Sequence, residues 1–117
     1  MKVAVVLLAS DESKEGWGRM ANALETVKEL KEAGEEVILI FDGAATLWPG
    51  ALAEASHKYH RLFSEVKECI GGACSYCAKA FGVAETVEKI GISLLDEFDG
   101  HPSVRRYLRD GYHLLTF

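Results

Sequence analysis

Residues 2–9, Lys2-Val3-Ala4-Val5-Val6-Leu7-Leu8-Ala9, form a nearly unbroken apolar run, and Glu36-Val37-Ile38-Leu39-Ile40-Phe41 form a second one that ends in Asp42-Gly43. A strand with one wet face alternates polar and apolar residues. A continuous run of Val, Leu and Ile marks a strand covered on both faces, as in the interior of a parallel sheet. Parallel strands need a crossover, and the intervening segment supplies one. Ser10, Asp11 or Ser13 can cap a helix there; Trp17, Met20, Leu24, Val27 and Leu30 or Lys31 recur at three- and four-residue steps; Gly34 provides the stop. The first strand is therefore expected at the sheet centre.

The rest of the chain continues the alternation. Pro49 fits the first turn of a second helix running to about residue 66, with Leu52, Ala55 or Ser56, Tyr59, Phe63 and Val66 inward. A short third strand near residues 68–73 leads into a helix from Cys74 to Ala80 or Phe81, broken by Gly82-Val83. An amphipathic turn or two over 84–90 points Val87 and Ile90 inward, and residues 92–98 read as a fourth strand or extended segment. A last helix carries Pro102 in its first turn and Val104, Tyr107 and Leu108 inward, and residues 112–117 read as a fifth strand. The pattern predicts one domain over 1–117: a three-layer α/β/α sandwich with a mainly parallel five-stranded sheet. A chain of 117 residues can bury a sufficient core without disulfides or metals.

Charge excludes one class of partner. A net charge of −5 supplies no basic footprint for nucleic acid. The apolar start runs directly into Ser10-Asp11-Glu12, has no small-residue cleavage site, and falls short of the ~20 residues that span a bilayer, so a cytoplasmic protein with no membrane partner is expected. The mean hydropathy of +0.04 lies slightly on the apolar side and points to an oligomer interface. Three cysteines, an odd number without a secretion signal, argue against a disulfide framework.

All three cysteines fall in Cys69-Ile70-Gly71-Gly72-Ala73-Cys74-Ser75-Tyr76-Cys77-Ala78-Lys79. Sites in parallel α/β sheets form at the carboxyl ends of strands, which is where the predicted junction puts Cys74 and Cys77. A thiol at a helix start faces free N–H groups and the positive end of the helix dipole, which lower its pKa from ~8.5. Cys74 is thus expected to be the acidic nucleophile and Cys77, one turn inside and less exposed, its resolving partner. Cys69 reads as core.

Four chemistries compete for the cysteines. A thiol–disulfide pair of thioredoxin type would follow an early strand, not the third, and neither Pro49 nor Pro102 matches the proline that packs against it. A zinc site from Cys69, Cys74 and Cys77 lacks a fourth ligand. A thiol carrying sulfur as a persulfide fits the placement, and three buried bystanders fit the high burial of cysteine in general. Elsewhere, Asp42 follows the second strand as a ribose-binding acid would, yet no G-x-G-x-x-G follows the first, so no cofactor is implied. His57 and His60 are too few for a metal, and Arg105, Arg106 and Arg109 read as a solvated face. Ser10, Asp11, Asp42 and His101 are candidates to line a pocket, with His101 read as a capping residue.

The segment Gly72 to Val83, with Leu94-Leu95-Asp96-Glu97 and the tail from Gly100-His101-Pro102-Ser103 to Leu114-Leu115-Thr116-Phe117, resembles the DsrE/DsrF-like family over nearly the whole chain. The resemblance implies a three-layer α/β fold, homo- or hetero-oligomers that are often trimers or hexamers, and sulfur relay between donor and acceptor proteins through a cysteine after the third strand. By its distance from Gly82, Cys74 matches that cysteine. This chain differs in carrying Cys77 as well, and Lys79 and Phe81 where the sulfur-relay members have an arginine-rich helix end. A non-catalytic oligomeric ligand-binding module of the same fold is the alternative.

Overall fold

The crossover predicted between the first two apolar runs is present. In a computed structural model that describes residues 1–117, strand β1 (Lys2–Leu7) leads to helix α1 (Lys14–Glu32) and back to a parallel strand β2 (Glu36–Phe41). Ser13 is the cap of α1, its side-chain oxygen accepting from the Gly16 N–H at 3.1 Å. The chain leaves α1 through Gly34 at φ +79°, a left-handed conformation that glycine adopts without a Cβ penalty.

Beyond β2 the elements are a 3-10 turn at Gly43–Leu47, α2 (Trp48–Leu52), α3 (His60–Val66), a 3-10 turn at Lys67–Cys69, and β3 (Ile70–Cys74). Then follow α4 (Ser75–Ala80), α5 (Ala84–Lys89), β4 (Leu94–Leu95), α6 (Val104–Arg109) and β5 (His113–Thr116). The sheet is wholly parallel, with order β4-β3-β2-β1-β5. The expected three-layer α/β/α class is therefore correct, although β2, not β1, holds the central place. β1 sits between β2 and β5 and ends at Leu7, two residues early, where Leu8 turns outward and its N–H donates to the Phe117 carbonyl.

The two helical layers are unequal. Eighteen buried residues fill one face, where Val3, Val5, Leu7, Leu39, Phe41 and Ala73 of the sheet meet Met20, Leu24 and Val27 of α1, Trp48 and Leu52 of α2, Phe63 and Val66 of α3, and Val87 of α5. The other face buries only Ala4, Val6, Ile40 and Tyr107, so α6 covers it through one aromatic ring. Val104 and Leu108, expected to point inward, are exposed, because a six-residue helix touching the sheet at Tyr107 has no second turn to bring down. Pro102 precedes this helix rather than opening it; the cap is Ser103, whose side chain accepts from the Arg106 N–H.

The single helix expected over 49–66 is two. Residues 53–59 leave the helical path, and His57 lays its imidazole flat on Trp17, with centroids 5.3 Å apart and planes 7° from parallel. His57 Nδ1 accepts from the Tyr59 N–H, and His60 Nδ1 meets the Leu52 carbonyl at 2.8 Å. Both histidines are thereby spent on shaping a loop. The fourth strand is also shorter than residues 92–98, reduced to Leu94–Leu95.

β3 carries an irregularity that shapes its end. Ile70 pairs with Leu39 and Gly72 with Ile40, so Gly71 is an extra residue in the ladder. A Cβ on Gly72 would lie 2.6 Å from Leu95 Cγ and 2.7 Å from the Ser93 carbonyl oxygen. Only glycine lets β4 approach so closely. Gly72→Ala is expected to lower unfolding stability by about 1–3 kcal/mol through overpacking. Gly18→Ala, on the exposed side of α1 where a Cβ meets nothing within 4 Å, is expected to raise it by about 0.5–1 kcal/mol. Urea denaturation of both variants checks the opposite signs.

Candidate functional site

The carboxyl ends of β2, β3 and β4 deliver four chemically active side chains to one place. Asp42 is the first residue after β2, Cys74 the last residue of β3, Cys77 lies in the first turn of α4, and His101 follows β4 after a reversal at Asp99-Gly100. One ligand-type atom from each of the four lies within 4.8 Å of all the others. The sequence reading named all four residues and offered Asp42 and His101 as pocket-lining neighbours of the cysteines, while favouring a cap for His101 and turn chemistry for Asp42.

Cys74 is the junction residue. Its φ and ψ of −59° and 121° end the strand, and its Sγ takes the place of an N-cap oxygen by accepting from the Cys77 N–H at 3.3 Å. On its other side Sγ lies 3.2 Å from His101 Nδ1 and 3.8 Å from the Gly100 carbonyl. The loop that brings His101 is fastened by Tyr76 N–H donating to the Gly100 carbonyl and by reciprocal backbone bonds between Phe98 and His101. Tyr76 packs its ring against the imidazole at 4.9 Å. A Cβ on Gly100 would press Tyr76 Cβ at 3.3 Å, and the residue sits at φ +80°, so glycine is needed for this closure.

Burial reverses the expected roles of the thiols. Cys74 is fully buried, and this desolvation, reinforced by the neighbouring Cys77 thiol and the Asp42 charge, pushes its pKa up to about 12 despite the N–H bond it receives from Cys77. The depressed pKa expected from a helix start is overturned, because α4 has six residues and a loop seals the thiol from water. Cys77, expected to be the less exposed partner, is the one that retains contact with solvent, and its Sγ points to Asp42 Oδ1 at 3.6 Å. Asp42 Oδ1 also accepts from the Gly43 N–H at 2.7 Å, which fixes the carboxylate over the site.

The other candidates lie elsewhere. Cys69 is at the opposite end of β3, partly exposed rather than buried, with its thiol pKa raised chiefly by desolvation. The set Cys69, Cys74 and Cys77 is therefore not assembled. Ser10 lines a cleft with Ser13, Arg19 and Phe117 at the ends of β1 and β5, and Asp11 faces Trp17 and Lys58 on the outside of α1, so neither joins the cysteines. Arg106 pairs with Glu97 and stacks over Tyr107, and Arg109 pairs with Asp110.

No family model matches the chain. The uncharacterized protein MJ0733 of Methanocaldococcus jannaschii is 35% identical over 96 residues, which cover 82% of this chain and 78% of that protein. Among solved structures, the conserved protein of unknown function BT1422 from Bacteroides thetaiotaomicron superposes with a TM-score of 0.65 over 97% of this chain and 94% of its own, at 19% identity. That second likeness extends to the fold alone.

The pKa of Cys74 fixes a sign for alkaline stability. In the unfolded chain the thiol ionises near ~8.5, whereas in the native protein it holds its proton to about 12. Between these limits the unfolded state binds fewer protons, so the contribution of Cys74, present in full below the unfolded pKa, is lost as pH rises through the window. In chelator-treated protein, the loss of stability between about pH 8 and pH 10.5 is expected to be smaller in Cys74→Ala than in wild type. Urea midpoints at the two pH values measure it.

Proposed function

Because the chain belongs to the family of the archaeal protein described above, whose description assigns no activity, its chemistry has to come from its own site, and we propose that it is a DsrE-like carrier of sulfane sulfur working through the Cys74–Cys77 dithiol. The observation that carries this reading is the meeting of two thiols and an imidazole at the carboxyl ends of the parallel strands, with Cys77 half-buried and Cys74 fully buried. The resemblance to the sulfur-relay family supports it from the sequence side.

Burial divides the labour. Sulfur enters at Cys77: its thiolate attacks the outer sulfur of a donor persulfide, the donor S–S bond breaks, the donor leaves as a thiol, and Cys77 becomes a persulfide. An acceptor nucleophile then removes the outer sulfur and returns Cys77 to the thiol. Where no acceptor is bound, Cys74 attacks the inner sulfur, releasing hydrogen sulfide and leaving a Cys74–Cys77 disulfide. His101 Nδ1, 3.2 Å from Cys74 Sγ, is placed to receive the proton that this step requires.

The rim suits a protein donor or acceptor, or a second copy in an oligomer. Tyr76 is 60% exposed, Phe98 68% and Phe81 47%; Tyr76 and Phe81 bracket Cys77 in sequence, and Phe98 belongs to the His101 loop. Exposed aromatics around a reactive group are typical anchors of protein interfaces.

The complete burial of Cys74 favours a second reading, a non-catalytic oligomeric ligand-binding module in which that thiol packs as a small hydrophobe. Incubation with a low-molecular-weight persulfide donor and intact-mass measurement separates the two. Sulfur transfer predicts an adduct of one sulfur atom on Cys74→Ser, lost in Cys77→Ser, and on wild type either that adduct or the Cys74–Cys77 disulfide left by its resolution. No adduct on either Cys74→Ser or Cys77→Ser sinks the carrier and leaves the binding module; an adduct retained in Cys77→Ser but lost in Cys74→Ser would restore Cys74 as the entry point.

A further inference from the structure

We propose that Asp42, Cys74, Cys77 and His101 form a four-ligand, tetrahedral site for a thiophilic divalent cation of the zinc type. This goes beyond sulfur carriage and stands whether or not the thiols carry sulfur, since it concerns what else the same four atoms are arranged to hold. Sequence reasoning set zinc aside because Cys69, Cys74 and Cys77 lacked a fourth ligand; the fold discards Cys69 and supplies two others.

Ligand identity comes first. Two thiolates and an imidazole select borderline-soft cations over Mg2+ or Ca2+, and a carboxylate completes sets of this kind. Spacing agrees. Zinc bonds of about 2.3 Å to sulfur and about 2.0–2.1 Å to nitrogen or oxygen, at tetrahedral angles, put neighbouring ligand atoms about 3.3–3.8 Å apart. Cys77 Sγ lies 3.6 Å from Asp42 Oδ1, Cys74 Sγ lies 3.2 Å from His101 Nδ1, and every pair falls within 4.8 Å. Side-chain rotations that shorten the widest separations, at most 4.8 Å, by about 1 Å bring such a group around one centre.

The supporting contacts are also those that a metal site uses. A ligand is held by what its remaining atoms bond. Cys74 Sγ accepts from the Cys77 N–H, Asp42 Oδ1 accepts from the Gly43 N–H, and the His101 ring is clamped by Tyr76 while its backbone is tied to Phe98. These contacts hold the ligand side chains in position, so little ordering is left for binding to supply. Four protein ligands leave no open position, which marks a closed site that ties together the loops after β2, β3 and β4 rather than one that activates water.

Charge completes the case. Two thiolates and a carboxylate crowded within 4.8 Å of one another would repel as anions. A dication reverses that repulsion and deprotonates its thiol ligands outright. Occupancy would also withhold both thiols from sulfur chemistry, so the metal-bound and sulfur-carrying forms are exclusive.

The test uses the full chain, reduced and chelator-treated, titrated with Co(II) alone and then with Zn(II). One equivalent of cobalt is expected to produce a thiolate-to-metal charge-transfer band and the intense d–d bands of a tetrahedral ion, both bleached by one equivalent of zinc. Cys77→Ser should weaken the charge-transfer band, and Asp42→Asn and His101→Gln should each lower the affinity at least about tenfold, a loss that even outer partners of ligands cause. Cys69→Ser should leave the spectrum unchanged. Circular dichroism identifies any variant that fails to fold, and His101→Gln, on a surface loop, carries the test if Cys77→Ser does. A weak octahedral spectrum, binding that does not saturate at one equivalent, or full affinity in both Asp42→Asn and His101→Gln would overturn the assignment. No sulfur donor is present, so cobalt binding without a sulfur adduct defeats only the carrier, and an adduct without cobalt binding defeats only the metal site.

Discussion

Parallel pairing is the constraint from which the site follows. Each strand of a parallel sheet must be left by a crossover that starts at its carboxyl end, so the loops after β2, β3 and β4 all emerge on one side. Asp42 and Cys74 are neighbours because β2 and β3 are neighbours, with Phe41 paired to Ala73 one residue before each. His101 joins them because β4 pairs with the end of β3, Cys74 opposite Leu95. The last pairing depends on Gly72: any side chain there would occupy the space of Leu95 and push β4, and with it the histidine loop, away from the sulfur. A glycine in a strand interior normally weakens it. Here its missing Cβ is the condition for bringing the imidazole to the thiol.

The unequal faces of the sheet explain why the site end stays open. One face is filled by residues from four helices, whereas the other rests on Tyr107 and leaves Ile38, Leu95, Tyr112 and Leu114 half-buried. The side on which Cys74 lies is the thinly covered one, since Ala73 before it faces the main core. Closure over Cys74 is therefore supplied by a loop, Phe98 to His101, rather than by a packed helix. Loops held by a few backbone bonds open more readily than core elements. The exposed aromatics Tyr76 and Phe98 sit on that closure, so a surface docking there would act directly on access to the thiols.

Much of this was legible in the sequence because it is local. The apolar runs, the Ser13 cap, the Gly34 stop and the strand-to-helix junction at Cys74 follow from neighbouring residues, and the fold class follows from their order. What failed to read was tertiary. Leu52, Tyr59, Phe63 and Val66 keep helical spacing across 53–59, and the contact that accompanies the break, His57 stacked on Trp17, joins residues far apart in sequence. The inward positions of α6 misread because nothing in the sequence tells how little sheet lies beneath a six-residue helix. His101 was a pocket candidate that read better as a cap, because its contact with the sulfur spans 27 positions.

The acidity of Cys74 was misjudged for a reason that bears on function. A helix start stabilises a thiolate by a partial charge, an effect of about 0.3–1 kcal/mol at exposed ends, whereas removing a thiolate from water costs several times as much. In a sealed cluster with Asp42 and Cys77 the second term wins, and the thiol stays protonated until some positive charge arrives. Two sources fit the geometry: a proton taken up by His101, which would form an ion pair with Cys74 at 3.2 Å, and a cation coordinated by all four side chains. Persulfide resolution by Cys74 needs the first and metal binding is the second, so both proposed chemistries draw on the same electrostatic deficit.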